Sequence, residues 1–418
     1  MKDMLKFLNE SPTSFQAITN IAEMLDKEGY KELKESEEYK LEKGGKYYVS
    51  RNGSSIIAFN IGKNLNDASL QITASHSDCP SFKLKPEAFI YENGFLKLNT
   101  EVYGGPIYYP WMDRPLCLAG RLIVKENGLL KTENYDSQKP FCLIPSLAIH
   151  MNREMNKGLS LNPQIDLLPL CGMEKADIKE YLSKECGKEV VGFDLYLYPE
   201  QKAFVWGMNE EFISSFHIDN LECAYTTLKG FIAGENAENI NVYCCFDNEE
   251  VGSLTRQGAD SDFLETTLRR LADELGLNYY RLLAKGMMLS CDNAHGLHPN
   301  HPEKADPTNR PTMNKGIVIK YNANQSYTSD GLSAAIFAEL LKTNNIPYQY
   351  FTNRSDVKGG STLGNISNGH SSIVSVDIGL AQLAMHSPVE TCGSKDVESM
   401  IQAVAAFYSA HLKDNNLI

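Results

Sequence analysis

The fold class is decided by residues 241–252, which read NVYCCFDNEEVG. The first six are apolar or β-prone and predict a buried strand, and two adjacent carboxylates, Glu249 and Glu250, follow it. Further strands are predicted at 54–61, 70–75, 212–216, 286–290, 348–351 and 372–378, and helices at 11–25, 221–233, 263–275, 332–341 and 397–411. This alternation predicts an α/β sandwich, with a mostly parallel sheet between layers of helices.

The middle of the chain has a different character. Between about residues 86 and 206, short alternating runs are separated by turn signals such as Asn93-Gly94 and Asn127-Gly128, which is typical of a β-rich subdomain. We therefore predict an α/β domain in two segments, 1–88 and 206–418, interrupted by an inserted β-rich domain at 89–205.

Composition restricts the class of protein. The chain has 418 residues, is 42% hydrophobic and carries a net charge of −13, which argues against nucleic acid or an anionic membrane as a main partner. The N-terminus has no apolar stretch of signal-peptide length, and no run approaches the about 18 residues of a membrane span. The ten cysteines are scattered without a Cys-x-x-Cys pair, which favours reduced thiols in a cytoplasmic protein.

Polar side chains with metal-ligand chemistry follow several of the apolar runs. Because sites in open α/β sheets form beyond the carboxyl ends of strands, we expect these side chains to converge. Imidazole and carboxylate ligands suit zinc, and cobalt or manganese can take its place. The candidate ligands, in chain order, are His76, Asp219, Glu250, Asp292 and His386.

The ligand count fits two ions. Two metals roughly 3.5–4 Å apart need a bridging carboxylate and flanking ligands on each side. We predict that Asp219 bridges, that His76 and Asp292 complete one site, and that Glu250 and His386 complete the other.

Two further carboxylates have predicted catalytic roles. Glu249 lies beside a candidate ligand but is left free, so it is placed to act as the general base on a bridging water. Asp78 lies two residues after His76 and can accept the other imidazole N–H, which fixes the tautomer. A lone histidine at a strand end is more often a surface residue, and an isolated Glu-Glu pair more often begins a solvated helix. The joint occurrence of these residues, each after an apolar run, favours the metal site.

These residues and their surroundings resemble the aspartyl aminopeptidase/aminopeptidase I family of dinuclear zinc peptidases. The resemblance runs over nearly the whole chain and keeps both order and spacing. It is carried by the strings SHSD (75–78), IPSLAIH (144–150), DNL (219–221), FDNEEVGS (246–253), DNAH (292–295), HPN (298–300), KGIVIK (315–320), GSTLG (360–364) and QLAMHS (382–387).

The resemblance implies a hydrolase that removes the N-terminal residue from peptides with a free N-terminus, using two zinc ions per chain. It also implies that the 89–205 insertion is a dimerisation domain, and that dimers assemble into a tetrahedral homododecamer enclosing the active sites. The family places the counterpart of His150 near an active site, that of a neighbouring subunit.

Three other residues are candidates for substrate binding. His295 lies one short turn past Asp292, and Lys320 ends an apolar strand where it could pair with an acidic side chain. Gly360 belongs to the stretch GGSTLG (359–364), which could present backbone N–H groups to the substrate.

The chain departs from the family pattern at two places. Gln16 stands where the family has a histidine, at a position that does not bind metal, and Pro388-Val389 precedes Glu390 where the family often has an Arg-Glu pair. The preferred N-terminal residue therefore stays open among acidic, basic and apolar side chains. Two other functions also stay open: a metal-dependent N-deacylase, and a non-catalytic self-assembling scaffold or cargo-binding protein. A scaffold would need neither Glu249 nor a complete ligand set.

Overall fold

The computed structural model of the chain describes residues 1–413 and 416–417, with side chains described as far as His411. Residues 414, 415 and 418, at the end of the predicted 206–418 segment, lie outside the described residues. Among the residues that are described, no helix combines the length and the apolar character that crossing a membrane requires.

The N-terminal part of the chain supplies two helices and one side of the main sheet. In the helix predicted from residue 11, Phe15, Ile18, Ile21 and Leu25 share one face and are buried, so this helix packs on the sheet. The elements are α1 (Lys2–Glu10), α2 (Ser14–Lys27), β1 (Lys31–Leu33), β2 (Lys46–Arg51), β3 (Ser55–Ile61) and β4 (Leu70–His76).

The middle of the chain forms an antiparallel sheet with its own apolar core, which contains the buried Trp111. Asn93-Gly94 and Asn127-Gly128 have positive φ at both residues and close two-residue hairpins, as their sequence predicts. The elements are β5 (Ser81–Glu92), β6 (Phe95–Tyr103), β7 (Leu116–Glu126), β8 (Leu129–Asp136), β9 (Leu170–Gly172), α3 (Ile178–Cys186), β10 (Glu189–Pro199) and β11 (Phe204–Trp206). All of these strands except β11 form this sheet, in the order β8-β7-β10-β5-β6-β9.

The rest of the chain returns to alternating strands and helices. Its first elements are β12 (Phe212–Ser215), α4 (Ile218–Ala233), β13 (Ile240–Phe246), α5 (Phe263–Glu274), α6 (Tyr279–Lys285), β14 (Met287–Cys291) and β15 (Ala294–His295). They are followed by β16 (Ile317–Lys320), α7 (Gly331–Thr343), β17 (Tyr348–Phe351), α8 (Leu363–Ser367), β18 (Val374–Gly379), β19 (Ala381–Leu383), β20 (Glu390–Gly393), α9 (Asp396–Ser409), β21 (Leu412–Lys413) and β22 (Asn416–Leu417).

The main sheet has the order β1-β2-β3-β13-β4-β14-β18-β16-β17 in the described part of the chain. Its central strands β13, β4, β14 and β18 are parallel, while the pairs β2–β3, β3–β13 and β16–β18 are antiparallel. Along β13, Tyr243 and Cys245 face the core beneath α2, α4 and α9, and Val242 and Cys244 face the core beneath α5, α6 and α8. Helices on both faces confirm the predicted α/β sandwich.

A smaller sheet lies beside the main one, with the order β11-β12-β20-β19-β15. Residues 212–216 form a strand as predicted, but β12 pairs with β11 and β20 and not with the main sheet. This small sheet matters for function because β12 leads directly into α4, and the loop between β19 and β20 carries His386.

Candidate metal centre

Three elements of the main sheet end at the same place. His76 is the last residue of β4, Glu249 and Glu250 lie in a 3-10 turn (Glu249–Val251) directly after β13, and Asp292 follows β14. Since β13, β4 and β14 are adjacent and parallel, their carboxyl ends bring these side chains together. This is the convergence expected from the sequence.

Asp219 and His386 reach the same place from the small sheet, where Asp219 follows β12 and His386 follows β19. Asp219 lies in the first turn of α4, after β12, and the peptide bond between Asp219 and Asn220 is cis. His386 has a left-handed backbone conformation, with φ of 69°, in the loop between β19 and β20. The strands of this sheet are short and pair between distant parts of the chain, so the local sequence pattern does not reveal it.

Asp219 stands between the two histidines. Its Oδ1 lies 3.5 Å from Nε2 of His76, and its Oδ2 lies 3.8 Å from Nε2 of His386. Nε2 of His76 is also 3.8 Å from Oδ1 of Asp292, and Nε2 of His386 is 3.4 Å from Oε2 of Glu250. These side chains form two candidate ligand groups that share Asp219, namely His76–Asp219–Asp292 and Asp219–Glu250–His386. A third group, His76–Glu249–Glu250, also has its ligand atoms within reach of one ion.

The chemistry of these atoms fits a bound cation. Oδ1 of Asp219 and Oε1 of Glu250 are buried and have no hydrogen-bond partner among the described residues. Buried carboxylate oxygens without a partner are costly in a protein interior, and a metal ion would satisfy both. Burial raises the pKa of Glu250 well above its usual value, and the charge of Asp219 adds to this effect, so the metal-free site favours a proton there.

Glu249 faces the same group of residues with its carboxylate unengaged. Its Oε2 lies 3.9 Å from Nε2 of His76 and forms no hydrogen bond to a described residue. Its ligand atom also falls within one candidate group, with His76 and Glu250. Burial raises the pKa of Glu249 to about 8, while the nearby His76 opposes this rise and the charge of Asp292 adds to it. A carboxylate with a raised pKa and no fixed partner can take up and release a proton near neutral pH.

Asp78 holds this part of the site in place. Its carboxylate accepts hydrogen bonds from the backbone N–H groups of Glu249 (3.1 Å) and Glu250 (3.2 Å) and from the Tyr103 hydroxyl (2.7 Å). Nδ1 of His76 lies 3.4 Å from Oδ1 of Asp78 and 3.0 Å from its backbone carbonyl oxygen. Asp78 thus touches the ring nitrogen of His76 that faces away from Asp219 and, at the same time, the turn that carries both glutamates.

Glu390 is a functional candidate that the sequence interpretation missed. Its buried carboxylate accepts a hydrogen bond from the backbone N–H of Asp219 at 2.8 Å and another from that of His386 at 2.6 Å. One side chain therefore joins the two segments of the small sheet that contribute candidate ligands. The only signal in the sequence is its spacing of four residues from His386, which gives no hint of the contact with Asp219.

Lys320 is fully buried beside Asp292. Its ammonium group donates a hydrogen bond to the backbone carbonyl of Asp292 at 2.8 Å and lies 3.7 Å from Oδ2 of the same residue. Burial would raise the pKa of Asp292, but the charges of Lys320 and His76 outweigh burial and hold it well below its usual range. Burial would lower the pKa of His76, but Asp219, Asp292 and Asp78 outweigh it and raise this pKa. The positive charge of Lys320 is thus already directed toward a candidate ligand.

The candidate ligands line a cavity of about 320 Å³. His295, Lys320 and Gly360, three of the predicted substrate-binding residues, line it as well. His150 does not join them, because it lies on an exposed loop of the inserted β-rich region. The volume of the cavity is in the range of roughly 300–1,000 Å³ that is typical of small-ligand sites.

Comparison with known proteins identifies the family. The profile of the aminopeptidase I zinc metalloprotease family (M18) matches residues 7–408. The chain belongs to this family. A probable M18 family aminopeptidase 2 from Clostridium novyi (strain NT) is 44% identical over 432 residues, which cover 98% of this chain and 100% of the relative.

Solved structures share the fold along nearly the whole chain. A chain in the cryo-EM structure of the Ape4 and Nbr1 complex is 34% identical, with a TM-score of 0.93, and the match covers 98% of this chain and 85% of that one. The S. cerevisiae mApe1 dodecamer is 28% identical, with a TM-score of 0.86 and coverage of 97% and 95%. The chain is accordingly a hydrolase of the zinc metalloprotease class that acts as an aminopeptidase, which agrees with the resemblance seen in its sequence.

Proposed function

We propose that the chain removes N-terminal residues from peptides with a dinuclear zinc centre, in which Asp219 would be the ligand shared by the two ions. His76 and Asp292 would complete one site, and Glu250 and His386 the other. The observation that carries this proposal is that the two oxygens of Asp219 face different histidines, at 3.5 Å and 3.8 Å. The same site would also accept cobalt or manganese in place of zinc, because its donors are imidazole and carboxylate only.

When bound, the two ions would polarise the scissile carbonyl and lower the pKa of the attacking water. Glu249 would take the proton of that water and pass it to the departing amine, since its carboxylate accepts no hydrogen bond from a described residue and faces the candidate ligands. Asp78 would fix the imidazole of His76 and the turn that carries Glu249 and Glu250. His295, Lys320 and Gly360 would contact the substrate from the cavity wall.

We also propose the division into a catalytic domain (1–88 and 206–418) and a dimerisation domain (89–205), with dimers assembling into a tetrahedral homododecamer. The separate apolar core around Trp111 supports the division, and the dodecamer of the S. cerevisiae relative supports the assembly. His150 would reach a neighbouring subunit's active site, since Leu147, Ile149 and Met151 beside it expose 55%, 44% and 74% of their surface. The free cysteines of the chain favour a cytoplasmic location.

The test is hydrolysis of aminoacyl substrates that begin with Asp, Glu, Lys, Leu or Ala, each paired with an N-acetylated control. The protein is stripped of metal and reloaded with zinc, cobalt or manganese. We expect metal-restored cleavage of the free-amine substrates only, with the preferred first residue read from the panel. Cleavage of acetylated substrates would instead indicate an N-deacylase, and no cleavage with any metal would indicate a scaffold or cargo-binding protein.

A further inference from the structure

A second cavity, of about 330 Å³, adjoins the one that contains the candidate metal ligands. The two share His295 and Gly360 in their walls, so they lie side by side. The second cavity extends away from the candidate ligands between the segment that follows β15 and the loop that follows β17.

The charge of this second cavity is opposite to that of the whole chain. Lys304, Arg310, Arg354 and Lys358 line it, and none of the described residues in its wall is Asp or Glu, although the chain carries a net charge of −13. Arg354 is paired with Asp356, with 2.8 Å between the guanidinium and the carboxylate. The other three cations form no ion pair within 4 Å with any side chain that the structure describes. Lys304 acts electrostatically on Glu303 and Asp356 outside the wall, so Arg310 and Lys358 carry the charge that is most available to a ligand.

We propose that this basic cavity, defined by Lys304, Arg310, Arg354 and Lys358, binds acidic side chains of the substrate that follow the scissile bond. The proposal rests on the aminopeptidase function proposed above. The cavity with the candidate metal ligands is lined by several carboxylates, and the cavity beside it is lined by cations. A peptide with a reacting N-terminus in the first cavity therefore places its next residues among the cations.

Size favours the continuing chain over the side chain of the first residue. A volume of about 330 Å³ matches cavities that hold ligands of drug size, roughly 300–1,000 Å³, and exceeds what a single carboxylate side chain fills. An aminopeptidase must also leave an open path for the rest of its substrate. The first side chain has room of its own in the cavity that holds the ligands, which Lys320 and Tyr327 also line.

The experiment uses the metal-loaded, full-length protein and peptides with amidated C-termini, so that only side chains carry negative charge. The first residue is held constant at the preferred one, and the second and third are both Ala, both Asp or both Lys. We expect kcat/KM to be about three- to tenfold higher for the Asp peptides than for the Ala peptides, and lowest for the Lys peptides. Raising the ionic strength to about 0.5 M should remove most of this difference, because it screens exposed charges.

Variants assign the effect to the cavity. Arg310→Gln combined with Lys358→Gln should bring the Asp and Ala peptides to within about twofold of each other, and Lys358→Glu should favour the Lys peptides. Lys40→Gln is the matched control, because Lys40 is exposed, unpaired among the described side chains and not in the cavity wall. Each variant is compared with the wild type only after its metal content and its oligomeric state have been shown to be unchanged.

Three results would overturn the inference. One is an active enzyme whose kcat/KM does not depend on the second and third residues. Another is a preference for acidic residues there that the cavity variants leave unchanged. The last is a set of variants that alter selection of the first residue only, which would make the cavity the site of that side chain. If the wild-type protein cleaved none of the peptides, the proposed function itself would be wrong. Failure of the cavity inference can therefore be told apart from failure of the proposed function.

Discussion

At the scale of single residues, the carboxylates of the site differ in how many hydrogen bonds they accept. Asp78 accepts three hydrogen bonds and Glu390 accepts two, whereas the carboxylate of Glu249 accepts none from a described residue and lies 3.9 Å from Nε2 of His76. Rigid carboxylates suit the positioning of ligands, and an unengaged one suits proton transfer. Glu249 is therefore the carboxylate that we expect to act as the base on the attacking water.

Glu249→Gln keeps the size of the side chain and removes its ability to accept a proton. We expect kcat to fall by about 10²- to 10⁴-fold while both metal ions stay bound. Steady-state kinetics and metal analysis of the same sample check this, with Glu235→Gln, an exposed glutamate, as control. Wild-type turnover in Glu249→Gln would remove Glu249 as the base.

Residue types and spacing were sufficient to predict the chemistry but not every participant. The candidates His76, Asp219, Glu250, Asp292 and His386 could be chosen because imidazoles and carboxylates after apolar runs are uncommon in this order. Glu390 could not, because its role depends on two backbone N–H groups that come together only in the folded chain.

At the scale of elements, two sheets build the site. The ends of β4, β13 and β14 contribute one half, and the segments that flank β12 and β19 contribute the other. Glu390, the first residue of β20, ties the second half together through the backbone of Asp219 and His386. It is a positioning residue, since it contacts the backbone of two candidate ligands and none of their metal-facing atoms.

Glu390→Ala should therefore weaken zinc binding more than an ordinary core truncation would. The variant leaves two buried N–H groups without their acceptor, and each such group costs about 1–3 kcal/mol of folding free energy. We expect about a ten- to hundredfold loss of zinc affinity, because the backbone of both ligand segments is no longer held in place. Glu390→Gln keeps one acceptor oxygen and should recover part of the lost zinc affinity. Competition with a chelator measures the affinity, and thermal unfolding of the metal-free protein separates stability from positioning. Unchanged affinity in a folded Glu390→Ala protein would contradict this role.

The elements differ in how well the sequence predicts them. β13 and β14 are mostly apolar runs and β4 alternates apolar with small polar residues, and all three are buried on both faces, so their pattern is strong. The small sheet consists of strands of two to four residues that pair between distant parts of the chain, and nothing local encodes those partners.

At the scale of the whole molecule, the site couples metal binding to pH and stability. In the metal-free chain the pKa of His76 is raised by its carboxylate neighbours despite burial, and burial raises that of Glu249 to about 8. Each group then holds a proton in the folded chain that it loses in the unfolded chain. The metal-free fold consequently loses stability as pH rises from about 5 to 8. Zinc would replace the proton of His76, which is a candidate ligand, and not that of Glu249.

We expect the increase in unfolding temperature on adding zinc to be larger at about pH 8 than at about pH 6. Each proton displaced by zinc adds about 1.4 kcal/mol per pH unit to the stabilisation. Differential scanning calorimetry at equal free zinc measures the increase, and calorimetric titrations in buffers of different ionisation enthalpy count the released protons. An equal increase at both pH values, with no proton release, would refute the coupling.

The sequence predicted the local turns of the whole molecule better than the order of its strands. Turn residues such as Asn127-Gly128 revealed the hairpins of the inserted sheet because they need positive φ at both positions. The order β8-β7-β10-β5-β6-β9 and the approach of the small sheet to the main one depend on tertiary packing, which no local pattern shows.

The central claim is that two ions share Asp219, and titration of the metal-stripped protein with zinc tests it most directly. Bound metal and activity on a free-amine substrate are measured together, in the wild type and in His386→Ala. We predict that wild-type activity reaches its plateau at about two ions per chain, and that His386→Ala binds about one ion tightly and has little activity. Full wild-type activity at one ion per chain, or two tightly bound ions in His386→Ala, would contradict the account.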